Sequence, residues 1–157
     1  MIYTLGFIRY QDELLLINRL KQPWQGCWNG VGGKMESNET SKSSIQREIK
    51  EETGIDVSLS DIVYKGKLTW GPSDGSFLYL FLIDVNHKIQ TPIQTDEGLL
   101  DWRKIEWIID KNNLGVAANI PYFLPKMLEK TLYDYHCLFE GNRLIDVIIT
   151  PLEVKHD

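Results

Sequence analysis

The chain has few of the residues that hold a protein together by anything other than burial. Its two cysteines, Cys27 and Cys137, lie far apart and outside any C-x-x-C pair. That excludes a disulfide framework and a cysteine zinc site, and leaves two reduced thiols. His87, His136 and His156 share no ligand spacing. No stretch approaches the roughly 18 uninterrupted apolar residues of a membrane-spanning helix. The start, MIYTLGFIRYQDELLL, lacks the basic region and apolar run of a signal peptide, so a cytoplasmic protein with no membrane partner is expected. Positive charge is short as well: 17 Lys and Arg stand against 22 Asp and Glu, a formal charge of −5. A broad basic face for a nucleic-acid polymer is disfavoured, whereas a small anionic ligand that arrives with its own metal is compatible. With 157 residues, 43% of them hydrophobic, the chain can build one domain with a substantial core.

Repeats, low-complexity tracts and linkers are absent from the sequence, and turn residues divide it into short elements. Tyr3–Arg9 and Glu13–Arg19 are apolar runs around Gln11-Asp12, which predicts a β-hairpin. The loop KQPWQGCWNGVGGK follows, and then a helix from about Thr40 to Thr53, with Asn38 or Thr40 as N-cap and Gly54 closing it. Val57–Trp70 and Phe77–Val85 are predicted strands around GPSDG, and Leu99–Trp107 a further extended stretch. Pro121–Tyr133 is predicted helical, with a closing hairpin of Asp134–Phe139 and Arg143–Thr150 over Glu140-Gly141-Asn142. Trp102 and Trp107 read as core or rim packing. Hairpins and helices without regular βαβ alternation predict an α+β fold with a mixed sheet in a sandwich.

The chemistry concentrates in GGKMESNETSKSSIQREIKEETGI, residues 32–55. On a helix, Glu48, Glu51 and Glu52 share one arc because positions three and four apart are surface neighbours. Ile45 and Ile49 lie on the adjoining arc and would anchor that face to the core. The carboxylates therefore repel one another, and they stand in the last turns before Gly54, where the helix dipole disfavours anions. A divalent cation would offset both costs. Gly32-Gly33 permit a tight approach of backbone to this face, and Glu39 with Arg47 can brace loop against helix.

Gly33, Glu39, Arg47, Glu48, Glu51, Glu52 and Gly54, at these spacings, resemble the signature box of the Nudix hydrolases. The likeness extends to YTLGFIR and WNGVGGK and looks most like the MutT-type members that act on oxidised purine nucleoside triphosphates. It implies a Nudix α/β/α sandwich and a small-molecule nucleotide as partner, for a monomer or homodimer. It also implies Mg²⁺ as cofactor, with Mn²⁺ able to substitute, held by the Gly32 carbonyl and by Glu48, Glu51, Glu52 and Glu97. Oxygen donors of this kind suit Mg²⁺. Arg47 would orient the glutamates, and the general base would be Glu48 or Glu97.

The resemblance also nominates substrate contacts at Thr4, Arg19, Asn29, Lys34 and Asn119. Asn29 can donate to and accept from a purine edge, or it can simply form a turn beside Gly30. Asn119 matches an asparagine that reads the oxidised base in bacterial members, but it would also make a good N-cap for the helix that follows, the more frequent role for such a residue. Trp24 could stack on a base. The implied reaction is metal-dependent cleavage of 8-oxo-dGTP or a related purine triphosphate to the monophosphate and pyrophosphate. Pro72 leaves ADP-ribose as an alternative substrate. A catalytically silent nucleotide sensor is the other alternative, although such a domain would be expected to lose box glutamates.

Overall fold

The computed structural model describes residues 1–152, so His156 lies outside the described residues. Strands β1 (Ile2–Tyr10) and β2 (Glu13–Arg19) form the expected hairpin. The Trp- and Gly-rich segment read as loop contains two short strands, β3 (Trp28–Asn29) and β4 (Val31–Lys34). Helix α1 spans Ser41–Thr53. Thr40 is its N-cap: the Thr40 hydroxyl accepts from the Ser43 N–H, and the Ser43 hydroxyl accepts from the Thr40 N–H. Gly54 ends it at φ 78°, a left-handed backbone that glycine adopts without steric cost.

Beyond α1, the expected strand from Val57 starts later. Leu59–Asp61 wind a 3₁₀ turn, and β5 runs Ile62–Gly71 against β6 (Phe77–Asp84). Strands β7 (Ile93–Gln94) and β8 (Gly98–Lys104) follow. The extended stretch predicted to Trp107 stops at Lys104, because Ile105–Ile108 turn into a short helix, α2, that buries Ile108. Helix α3 is shorter than predicted, Ile120–Met127, and Tyr133 belongs to β9 (Tyr133–Glu140), which pairs with β10 (Arg143–Pro151) as the closing hairpin.

The strands form one mixed sheet in the order β10-β9-β5-β6-β1-β2-β8-β7, with β3 on β2 and β4 on β1. The pairs β1–β6 and β5–β9 are parallel. Alternate residues feed two cores. Phe7, Leu14, Leu16, Leu80 and Leu82 pack beneath α3, whereas Ile8, Leu15, Ile17, Phe81 and Ile83 pack beneath α1 with Ile45 and Ile49. Both faces of the central strands are covered, which is why they read as unbroken apolar runs. Trp102 is buried in the core under α1, and Trp107 lies on the rim, 42% exposed. Among the described residues no helix is long and apolar enough to cross a membrane.

Candidate active site

Strand β4 pairs with β1 so that Gly32 stands opposite Leu5 and Gly33 opposite Thr4, and this holds the box loop against α1. A side chain is impossible at Gly32, where a Cβ would fall inside the Thr4 carbonyl. At Gly33 a Cβ would meet the Glu48 carboxylate, 2.5 Å from Oε1. The two glycines thus let strand and acidic helix face come into contact.

Arg47 organises that face. Its Nε and Nη2 donate to the two Glu39 oxygens at 2.7 and 2.9 Å. Its Nη1 donates to Glu48 Oε1 at 3.1 Å and Glu51 Oε2 at 3.2 Å, and Nη2 reaches the Lys34 carbonyl at 3.3 Å. The bond to Arg47 is the main cause that lowers Glu39 to about 2. Glu48 is largely buried, and burial raises its carboxyl above the ordinary value although Arg47 opposes this. Glu51 is open to solvent, 59% exposed.

Glu52 differs from the other two. One of its oxygens, Oε2, is buried without a hydrogen-bond partner among the described residues. Burial, then the charges of Glu48 and Glu97, push its carboxyl up to about 8, and the Gly32 backbone and the Arg19 guanidinium only partly oppose this. Glu97, exposed on the turn before β8, is near enough for its charge to act on Glu52. The turn is tied in place by the Leu20 N–H, which donates to the Glu97 carbonyl. A cleft of about 860 Å³, lined by Lys34, Glu36, Glu39, Arg47 and Glu48 among others, opens on the outer side of the box.

On the opposite face of the sheet, four neighbouring strands present half-buried apolar side chains. Leu5 of β1, Leu78 of β6, Trp70 of β5 and Phe139 of β9 lie in consecutive rows of one face. Two loops pack beside this apolar patch. Trp24, with a left-handed backbone at φ 61°, packs on Phe139 at 6.2 Å between ring centroids. Trp28 receives the second loop: its N–H donates to the Gly115 carbonyl, and its carbonyl accepts from the Ala117 N–H. Asn119 lies on that loop beside Cys137.

The NUDIX domain model matches residues 3–126, most of the chain. The chain belongs to the Nudix hydrolase family. A Bacillus subtilis relative described as an uncharacterized Nudix hydrolase is 31% identical over 128 residues, 78% of this chain and 75% of its own. The oxidized purine nucleoside triphosphate hydrolase of Mus musculus is 27% identical over 148 residues, 92% of this chain and 90% of its own. A solved structure of the MutT protein of Bacillus halodurans superposes with a TM-score of 0.77 at 24% identity, covering 94% of this chain and 96% of that one. This is a MutT-like Nudix fold, and members of the family hydrolyse phosphoric anhydride bonds with the help of divalent metal ions.

Within this Nudix domain the expected residues separate into groups. Arg47 joins Glu48 to Glu51, Gly32 lies against Glu52, and Glu97 and Arg19 are near enough for their charges to act on Glu52, with Lys34 exposed at the end of β4. No three acidic side chains converge as a ready-made metal cage among the described residues, because Arg47 holds Glu48 and Glu51 as their counter-ion. Thr4 departs from its expected substrate contact. It is almost fully buried behind the box, its hydroxyl 3.5 Å from the Gly33 carbonyl and 3.4 Å from Ser44 Oγ, and there it braces β4 against α1. Asn29 Oδ1 accepts from the Gly30 N–H, a turn-holding contact that leaves its amide nitrogen unpartnered among the described residues. Asn119 does not cap α3, since its backbone is already helical there. The sequence reading missed this apolar patch. The apolar alternation of β5, β6 and β9 was the available signal, but only the strand order makes those rows adjacent.

Proposed function

We propose that this Nudix hydrolase is a Mg²⁺-dependent nucleoside triphosphate pyrophosphohydrolase acting on 8-oxo-dGTP or a related purine triphosphate, releasing the monophosphate and pyrophosphate. The carrying observation is the orphaned Glu52 oxygen, buried beside Glu48 and Glu97 and under the Gly32 backbone. A buried carboxylate without a partner is costly, and an oxygen-ligated divalent cation is the partner that removes the cost. The Gly32 carbonyl with Glu48, Glu51, Glu52 and Glu97 would hold it, and Mn²⁺ would serve in place of Mg²⁺. When bound, the ion neutralises charge on the phosphates and lowers the pKa of an attacking water.

Around it, Arg47 keeps Glu48 and Glu51 in place through its Glu39 anchor. Arg19 and Lys34 would attract the phosphates, and Glu48 or Glu97 would take the proton from water. The apolar patch would give the base a floor with stacking surfaces at Trp24, Trp70 and Phe139, and Asn119 and Asn29 would supply polar contacts. The full-length likeness to a hydrolase of oxidised purine nucleotides supports this reading.

The test is a panel of 8-oxo-dGTP, dGTP, dATP, dCTP and ADP-ribose with the purified protein, with and without Mg²⁺. The expected result is hydrolysis of purine triphosphates only with metal, fastest for the oxidised base. Equal rates on dGTP and 8-oxo-dGTP would remove the sanitising role, and faster turnover of ADP-ribose would replace the substrate.

A further inference from the structure

Glu97 is an expected site carboxylate that no side-chain contact holds. Glu48 and Glu51 take bonds from Arg47, and Glu52 has the Gly32 backbone, whereas the Glu97 carboxylate has no hydrogen-bond or ion-pair partner among the described residues. Its charge nevertheless acts on Glu52, so where that charge stands is set by the backbone beneath it. That backbone is a turn, Thr95 to Gly98, between β7 and β8, and one hydroxyl shapes it. Thr95 Oγ1 accepts from the Glu97 N–H and the Gly98 N–H, both at 3.2 Å, and donates to the Gly98 carbonyl at 2.9 Å. A hydroxyl offers one donor and two acceptor sites, so its whole capacity is used inside the turn. The outer side is fixed as closely. The Leu20 N–H donates to the Glu97 carbonyl at 3.1 Å, and a Cβ at Gly98 would fall inside the Asn18 carbonyl, 1.9 Å from its oxygen. These two contacts flank Arg19, whose charge also acts on Glu52.

We propose that Thr95 is a positioning residue for the metal site: its hydroxyl fixes the turn so that the Glu97 charge stands toward Glu52, and the two carboxylates together tighten the binding of a divalent cation. A cation relieves the repulsion between the two charges, so its affinity reports how near the second one is held. This rests on the metal-dependent reading above and adds to it a residue that acts only through Glu97.

The experiment titrates Mn²⁺ alone into the full chain and reads the free ion by electron paramagnetic resonance. The proteins compared are wild type, Thr95→Val, Thr95→Ser, Glu97→Gln and the Thr95→Val/Glu97→Gln pair. Valine keeps the branched shape and removes the hydroxyl, whereas serine keeps the hydroxyl. Thr95→Val should weaken Mn²⁺ binding at least about threefold, and Glu97→Gln by a similar or larger factor. In the Glu97→Gln background Thr95→Val should change the affinity by less than about 1.5-fold, and Thr95→Ser should stay within about 1.5-fold of wild type. A general loss of fold would cost the same in both backgrounds, so the cycle separates it from an effect routed through Glu97. A Thr95→Val protein that binds Mn²⁺ like wild type, one weakened equally in both backgrounds, or a Thr95→Ser protein as weak as the valine variant overturns the proposal. A Glu97→Gln protein of wild-type affinity overturns it as well. If the Mn²⁺ cycle holds and the substrate panel shows no hydrolysis of a nucleoside triphosphate, the proposal stands and the nucleotide reading falls. Wild type that binds no Mn²⁺ overturns both.

Discussion

Replacing Gly33 by alanine would damage the chemistry of the box while sparing the fold. The new Cβ lies 2.5 Å from Glu48 Oε1, 2.8 Å from its Cδ and 3.0 Å from Oε2. Ordinary contact begins near 3.4 Å, so Oε1 must retreat by about 0.9 Å. The backbone at Gly33 is not left-handed, so alanine adds no conformational strain of its own. Glu48 is the end of a flexible side chain, and what it gives up is one bond from Arg47 at 3.1 Å. The stability loss should stay near 1 kcal/mol, the scale of a partly exposed ion pair. Catalysis is less forgiving: displacing a reacting group by about 1 Å costs on the order of 100-fold, or roughly 2.7 kcal/mol of barrier. Gly32→Ala provides the contrast, because its Cβ collides with the main chain of β1 and must open the β1–β4 pairing. The assay is steady-state hydrolysis of a purine triphosphate with Mg²⁺, alongside urea melts of both variants. Gly33→Ala should melt close to wild type with kcat/KM down about 100-fold, and Gly32→Ala should melt early. A Gly33→Ala enzyme within threefold of wild type, or one as unstable as Gly32→Ala, would show that the Glu48 carboxylate is not displaced as described.

Glu52 gives a pH dependence. Its carboxyl is raised to about 8 in the folded protein, so between the ordinary value of 4.5 and 8 the folded state keeps a proton that the unfolded state has lost. Stability of the metal-free protein should therefore fall as pH rises through that window, by about 1.4 kcal/mol per unit at most. Urea melts in EDTA at pH 5, 6.5 and 8 check it; the slope should flatten in Glu52→Gln, and an identical slope there would show that another group is responsible. Tyr135 carries a buried hydroxyl with no partner among the described residues. Tyr135→Phe should be neutral or stabilising by up to about 1 kcal/mol, read as the melting midpoint, and a loss above 1 kcal/mol would mean the hydroxyl has a partner.

The box was legible because its signals are local. Capping, the Glu48–Glu51–Glu52 arc and the two glycines are all set within one helix and the strand before it. The central strands were legible for a similar reason, since burial on both faces writes itself as uninterrupted apolar residues. The errors fell where tertiary context decides. Ile105–Ile108 could continue a strand by composition, but folds into a turn of helix that places Ile108 in the core. Thr4 sits in a strand that resembles substrate-binding relatives, yet its neighbour across the sheet is the box, and the facing Ser44 on α1 takes its hydroxyl. Asn119 looked like a helix cap, and only its backbone angles show the side chain free for Cys137, 18 positions away.

One short stretch of main chain, Asn29 to Lys34, touches both halves of the molecule. Gly30 lies against Leu5 and Phe7 on the side of the apolar patch, whereas Gly33 lies under the Glu48 carboxylate on the other. On the function proposed above it would work as a common hinge-plate: whatever slides this hexapeptide along β1 would shift the seat of the base and the seat of the phosphates together. Selectivity and speed would then be mechanically geared, and moving this backbone to retune one would disturb the other. Side-chain changes in the flanking loops are the freer route to a new substrate.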